Sequence, residues 1–285
     1  MSESNQAPII LCLGGHDPSG GAGIQADAEA ARANGIHAAT VVSCLTRQDT
    51  QGLLGLWPQP VAEVEAQCRL ILADSQVKAI KIGLLGSAHL AHWLCQLADE
   101  YPELPMILDP VLASGAGQKV SDPSLFEQIR SHLLGRCLLA TPNLPEAQAL
   151  SSTQTPDACA TRLLASGCRW VLITGTHDES TEVINRLYGQ DGSQREWHWP
   201  RLPEVYHGSG CTLASAIAAR LALGQTLEDA VAVAQDYTWL SLKSATHTGR
   251  GQWTPNRLYA LDNLVPGDEG PQQGSVAGCQ QRHNP

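Results

Sequence analysis

An α/β fold with a mostly parallel central sheet is what this sequence predicts, and three observations predict it. Short apolar runs alternate with helical patterns along most of the chain. The helical stretches are long enough to act as crossovers between parallel strands, which need a dozen or more residues to return. The chemically unusual residues follow the apolar runs or open a late helix, at what such a sheet makes its carboxyl edge, where open α/β sheets bind ligands.

Taken in order, PIILCLGG (8–15) reads as a buried strand and IQADAEAARANG (24–35) as a helix closed by glycine. HAATVVSCL (37–45) is β-like, and VAEVEAQCRLILAD (61–74) sets Val61, Val64, Cys68 and Ile71 at helical spacing. AIKIGLL (79–85) is a strand with a helix behind it over about 87–100, and MILDPVL (106–112) is another strand. SDPSLFEQIRSHLL (121–134) opens as a helix with Ser121 as its cap and proline in its first turn. CLLAT (137–141), a helix from about 144, a second over about 157–166 and WVLITGT (170–176) continue the alternation. NRLYG and QREWHW (185–198) read as a hairpin, followed by helices over about 211–223 and 226–245. Beyond residue 262 the text is rich in Gly, Pro and Gln and nearly without large apolar residues. The expectation is one domain over 1–262 and a flexible tail over 263–285.

Composition excludes more than it names. The chain has 285 residues, 43% hydrophobic and 16% charged, with a formal charge of −10. A broad nucleic-acid or anionic-membrane surface needs an excess of Lys and Arg and is excluded, whereas a small phosphate site built from backbone amides is not. No apolar run reaches the roughly 18–20 residues that span a bilayer. MSESNQAPIILCLGG has no basic region of the secretory kind. Nine scattered cysteines without a CxxC pair read as reduced core thiols. A cytoplasmic protein is expected.

Three motifs carry the chemistry. GGHDPSGGAG (14–23) lets the backbone approach a ligand closely, yet it fits neither GxxxxGK[ST] nor GxGxxG. By itself it is as well explained by a tight strand-to-helix turn, and Asp27 behind it by a favourable charge near a helix start. HGSGCT (207–212) is more specific. Small residues over 208–210 present consecutive N–H groups at a helix start, where the dipole adds partial positive charge suited to a phosphoryl group in transfer. A thiol at Cys211 in that field is expected to have a lowered pKa and to accept the proton of an attacking hydroxyl. The rival readings are a packed cysteine behind a capping Ser209, and a covalent Cys–His enzyme using His207, which lacks a clear orienting partner upstream. TPNLPEA (141–147) offers Asn143 and Glu146 after a strand, either as a helix cap or as holders of Mg²⁺ through water. Asp109 before Pro110 is a turn residue or a second acidic group near that metal.

Together GHDPSGGAGIQAD, TPNLPEA and HGSGCTLASA, in this order and at these separations, closely resemble the hydroxymethylpyrimidine/phosphomethylpyrimidine kinase family of the ribokinase-like superfamily. The resemblance covers about residues 8–250. Cysteine in HGSGCT is discriminating, because sugar kinases of the superfamily usually carry aspartate there. The resemblance implies a three-layer α/β/α sandwich and two successive ATP-dependent phosphorylations of a hydroxymethyl-pyrimidine for thiamine synthesis. It implies Cys211 as catalytic base, Gly208 and Gly210 as shapers of an anion hole with Ser209, and Gly15, Ala22, Asp27, Gln48, Leu84 and Val111 around the pyrimidine. Gln48 suits that task because one amide can donate to a ring nitrogen and accept from an amino group. Asn143, Thr174 and Gly175 are placed on the ATP and phosphate side, and Glu146 and Asp109 with Mg²⁺. Thr174 departs from the pattern, since many relatives carry lysine there, and a threonine can only hydrogen-bond a triphosphate. Relatives often form a homodimer, though no exposed stripe in this sequence demonstrates one. The nearest rival is a pyridoxal kinase of the same superfamily; a rival of another class is a catalytically silent nucleotide- or pyrimidine-binding protein.

Overall fold

The protein is described by a computed structural model covering residues 7–112, 122–176 and 181–262. The expected tail over 263–285, Ser121 and His177 lie outside the described residues.

Six strands run parallel in the middle of one nine-stranded sheet: β1 (Ile9–His16), β2 (His37–Asp49), β4 (Val77–Ile82), β5 (Met106–Leu108), β6 (Leu139–Ala140) and β7 (Trp170–Ile173). β3 (Gly52–Pro58) pairs antiparallel with β2 at one end, and the antiparallel β8 (Glu182–Gly189) and β9 (Gln194–Pro200) close the other. The order is β3-β2-β1-β4-β5-β6-β7-β8-β9, so the winding reverses between β1 and β4. At such a reversal the loops beyond the carboxyl ends of the two strands part to either side, and the crevice between them is where open α/β sheets bind ligands.

Both faces of the sheet are covered, as parallel strands require. Leu11, Leu13, Ile80, Ile82, Met106 and Leu108 point into a core with helices α2 (Val61–Asp74), α3 (Ala88–Glu100), α4 (Pro123–Gln128), α5 (Leu144–Ser151) and α6 (Pro156–Ala165). The alternate residues Ile10, Cys12, Ala79 and Ile107 face α1 (Gly23–Ala33), α7 (Ser209–Ala222) and α8 (Leu227–Lys243). Nine residues of α7 are buried, five of them alanines, which lets α1 and α8 pack closely on either side. This is the expected three-layer arrangement.

Several local expectations are corrected. β2 runs to Asp49 and turns into β3, which the sequence reading missed. GLLGLWP has two glycines and no period-two alternation, and the pairing is set by the turn, where Asp49 Oδ1 accepts from the N–H groups of Gln51 and Gly52. β5 to β7 are shorter than their apolar runs. α4 is capped by Asp122, whose Oδ1 accepts from the N–H groups of Ser124 and Leu125, and it loosens into a π turn over Ile129–Leu133. α7 begins behind Gly208 rather than a capping Ser209. A last short helix, α9 (Tyr259–Asp262), ends the described chain.

Candidate active site

The site is built where β1, β4, β5, β6 and β7 end and α7 begins. After β1 the chain makes a loop stitched by one carboxylate: Asp17 Oδ1 accepts from Ser19 N and Oγ, and Oδ2 from Ala22 N at 2.8 Å. The same Oδ2 lies 3.0 Å from His207 Nε2, so the loop is tied to the turn that leads into α7. Burial pushes the Asp17 carboxyl up, but the hydrogen bonds from His207 and Ser19 outweigh it and hold the group below its ordinary value. This supplies the partner for His207 that the sequence reading could not find: it lies 190 residues upstream, and it directs the imidazole to the loop. A Cys–His nucleophile pair loses its support.

Two glycines make this contact feasible. Gly208 has φ +80° and a Cβ there would stand 2.0 Å from the Gly21 carbonyl oxygen; Gly23 has φ +63° and a Cβ would stand 2.2 Å from that of Gly15. Any side chain at either position would force the loop and the helix start apart. Arg257 seals the junction from beneath. Its buried guanidinium donates to Thr212 Oγ1 at 2.8 Å, to the carbonyls of Gly20 and Gly21, and to Glu29 Oε2 at 3.0 Å. Arg257 was missed because a lone arginine in a loop of the sequence carries no spacing signal.

Cys211 lies in the first turn of α7 and keeps partial exposure as a residue, while its thiol is largely desolvated. Gly208 and Ser209 beside it are half-buried and Gly210 is exposed. The Gly23 N–H favours the ionised sulfur, and Asp109 is close enough for its charge to oppose that ionisation. The expected lowering of its pKa is overturned. Burial pushes the thiol up to about 12; Lys81 pulls it down, while Asp109 and Asp27 add to the rise. Helix dipole and amides are outweighed because the surrounding atoms strip water from the sulfur and two carboxylates face it. Asp109 is raised too, by burial first, against the downward pull of Lys81.

Lys81 is the other residue missed. It projects from β4 toward the α1/α7 face with its side chain fully buried, Nζ 2.7 Å from Asp27 Oδ1. Asp27 Oδ1 also accepts from Ser215 Oγ at 2.8 Å. Asp27 is therefore neither a helix-start charge nor an exposed pocket wall: it lies beneath Gly14, fully buried, as half of an ion pair. Among the described residues Asp27 Oδ2 and Asp109 Oδ2 have no hydrogen-bond partner although buried, and Lys81 Nζ has none beyond its ion pair with Asp27. The floor of the crevice is thus a cluster of charges around one ammonium.

On the pocket side, a Cβ on Gly15 would touch Cys44 Sγ and Leu84 Cδ2 at 3.1 Å each, which puts Gly15 and Leu84 on one wall. Ser43 Oγ donates to the Leu84 carbonyl and holds that wall to β2. Ala22 abuts Gly208, with 2.9 Å from its Cα to the point a Gly208 Cβ would occupy. Gln48 is half-buried on β2 and donates to Thr46 Oγ1. Val111 is half-buried just past Asp109.

On the far side, α5 begins with a capping box. Asn143 Oδ1 accepts from Glu146 N at 2.9 Å, and Glu146 Oε2 accepts from Asn143 N at 3.0 Å. Glu146 Oε1 also accepts from Leu112 N at 3.3 Å. Burial, then the charge of Asp109, pushes the Glu146 carboxyl up to about 8. Thr174 bridges to Asn143 through the main chain, and Gly175 N donates to Asn185 Oδ1, itself held by Gln235. Among the described residues no three His, Cys, Asp or Glu side chains converge into a metal cage. A cation that keeps most of its water suits two desolvated carboxylates in each other's field, because it would restore their ionisation. An open cavity of about 440 Å³ lies outside this constellation, between Ser19, Asp49 and Arg250.

A family model described as phosphomethylpyrimidine kinase matches residues 17–256. The chain belongs to the phosphomethylpyrimidine kinase family. It is a phosphotransferase. It is 37% identical over 261 residues to the hydroxymethylpyrimidine/phosphomethylpyrimidine kinase of Streptomyces coelicolor, covering 89% of this chain and 96% of that one. The phosphomethylpyrimidine kinase structure from Clostridium difficile matches with a TM-score of 0.71 at 28% identity, over 82% of this chain and 98% of that one. An ADP complex of Bacillus subtilis pyridoxal kinase matches with a TM-score of 0.81 at 24% identity, over 89% and 98%, and speaks for the ribokinase-like fold. No described helix is long and apolar enough to cross a membrane.

Proposed function

We propose that the protein transfers phosphate from ATP to the hydroxymethyl group of 4-amino-5-hydroxymethyl-2-methylpyrimidine, and then again to the resulting monophosphate, in thiamine synthesis. The observation that carries this is Cys211, partly exposed at the start of α7, in the field of Lys81 and Asp109 and beside the loop that Asp17 and His207 hold in place. The relatives from Streptomyces coelicolor and Clostridium difficile point the same way.

A thiol raised to about 12 holds its proton at neutral pH. It acts as a relay: as the substrate O–H bond breaks, the sulfur takes that proton and passes its own to Asp109, whose raised pKa makes it a willing acceptor. The substrate oxygen forms its bond to phosphorus while the bond to the ADP oxygen breaks. The N–H groups over Gly208, Ser209 and Gly210 stabilise the charge in transit. Glu146, beside Asn143, Thr174 and Gly175, would hold Mg²⁺, and the ion would supply positive charge to neutralise the triphosphate. We place this chemistry in the cytoplasm, where ATP is at hand and the eight free described cysteines stay reduced.

A pyridoxal kinase is the second reading, favoured by the higher TM-score of that neighbour. Coupled ATP-consumption assays with the aminopyrimidine, its monophosphate and pyridoxal separate the two. Turnover of the first two is expected; turnover of pyridoxal alone overturns the proposal, and ATP binding without any turnover would establish a silent binder.

A further inference from the structure

On β2, Cys44, Thr46 and Gln48 share the face turned toward the end of β1, while Leu45, Arg47 and Asp49 are exposed on the other. Thr46 is buried, and its Oγ1 donates to the His16 carbonyl oxygen at 2.8 Å. A hydroxyl carries a single hydrogen. With that hydrogen committed, Thr46 can only accept from Gln48, and Gln48 Nε2 stands 2.9 Å away. The amide is thereby polarised. One N–H is tethered to Thr46, and the carbonyl oxygen and the second N–H remain to face a ligand.

We propose that Thr46 is a specificity-determining positioning residue, which fixes the direction in which the Gln48 amide reads the substrate ring. The inference rests on the pyrimidine reading above. An amide held this way presents acceptor and donor side by side, which matches a ring edge with an amino group next to an unprotonated nitrogen. A flipped amide would need Thr46 to turn its hydrogen from the His16 carbonyl to Gln48 Oε1, breaking a bond in a buried place. Without the hydroxyl both orientations are open, and the amide discriminates less between an aminopyrimidine and a pyridine ring.

The test compares Thr46→Val, which keeps shape and removes the hydroxyl, with Thr46→Ser, which keeps the hydroxyl. Steady-state kinetics are run on the aminopyrimidine and pyridoxal with ATP saturating. Thr46→Val is expected to raise KM for the aminopyrimidine about threefold to tenfold, the worth of one hydrogen bond, with kcat changed much less. Its preference over pyridoxal should narrow by the same factor, and Thr46→Ser should restore both. An unchanged KM in Thr46→Val beside a raised KM in Gln48→Ala overturns this proposal and leaves the pyrimidine reading standing. Equal losses on both substrates, or a fall in kcat alone, also overturn it. Wild-type turnover of pyridoxal without the aminopyrimidine sinks both. Should valine overpack the site, Thr46→Ala removes the same bond and is judged by the same outcomes.

Discussion

The two sides of the crevice neutralise charge in opposite ways. On the β1/α7 side the carboxylates meet basic side chains: buried Asp17 meets His207, buried Asp27 meets Lys81, and the partly exposed Glu29 reaches the buried Arg257. On the β6/β7 side, Glu146 meets the backbone N–H groups of Leu112 and Asn143, and Gly175 meets the amide of Asn185. On the first side the chain itself supplies these partners before any ligand arrives. The second is left short of positive charge, and its acid answers by holding a proton. The acceptor pocket is thus pre-organised by the chain, whereas the nucleotide side waits for charge to come with its ligand.

The largest effect that could break this contrast is chemical. Cys211→Ala should fold and bind the pyrimidine in calorimetry while kcat falls on the order of 10²–10⁴-fold, the scale of a lost proton-transfer group. An undiminished kcat would show that the pre-organised side does not take the proton. Next in size is Lys81→Met, which strands Asp27 without its counter-charge and should lower stability by about 3–5 kcal/mol in urea unfolding. The double variant Lys81→Met with Asp27→Asn should lose less than Lys81→Met alone; an equal or larger loss would mean that packing rather than charge makes the lysine necessary.

Glu146 gives a pH signature for the other side. Its folded pKa of about 8 lies above its ordinary 4.5, so the folded protein keeps a proton that the unfolded chain releases. The stability this provides is complete below about 4.5 and is lost as pH rises through about 8. Unfolding midpoints without Mg²⁺ should therefore fall over that window, and Glu146→Gln should flatten the fall and raise the magnesium needed for turnover. Parallel curves for the two proteins would erase the asymmetry between the sides. Smallest is Thr174→Lys, which adds a cation at the end of β7, where Thr174 bridges to Asn143. The added ammonium should lower KM for ATP by about twofold to fivefold, as a partly exposed ion pair of up to about 1 kcal/mol permits. An unchanged KM would show that the side chain at 174 does not face the triphosphate.

Much of the sheet was legible because periodicity is local. The runs that became β1, β4 and β7 and the patterns that became α2, α3 and α8 each carry their own signal. β3 carried none, since its pairing is imposed by a turn and by the neighbouring strand. The site was legible only where small residues or a cap form a run, as at 207–212 and 143–146. Asp17, Lys81 and Arg257 were invisible, each being one charged residue whose partner lies far along the chain.

The sequence by itself determined the alternation of strands and helices, the glycine turns at their ends and the presence of a thiol behind one of them, because each depends on neighbours within a few residues. Only the tertiary structure decided which charges meet and what the thiol's proton does. Desolvation and Coulomb interactions depend on distance through space, and folding brings Lys81, Asp27, Asp109 and Cys211 into one buried cluster from four separate elements of the chain.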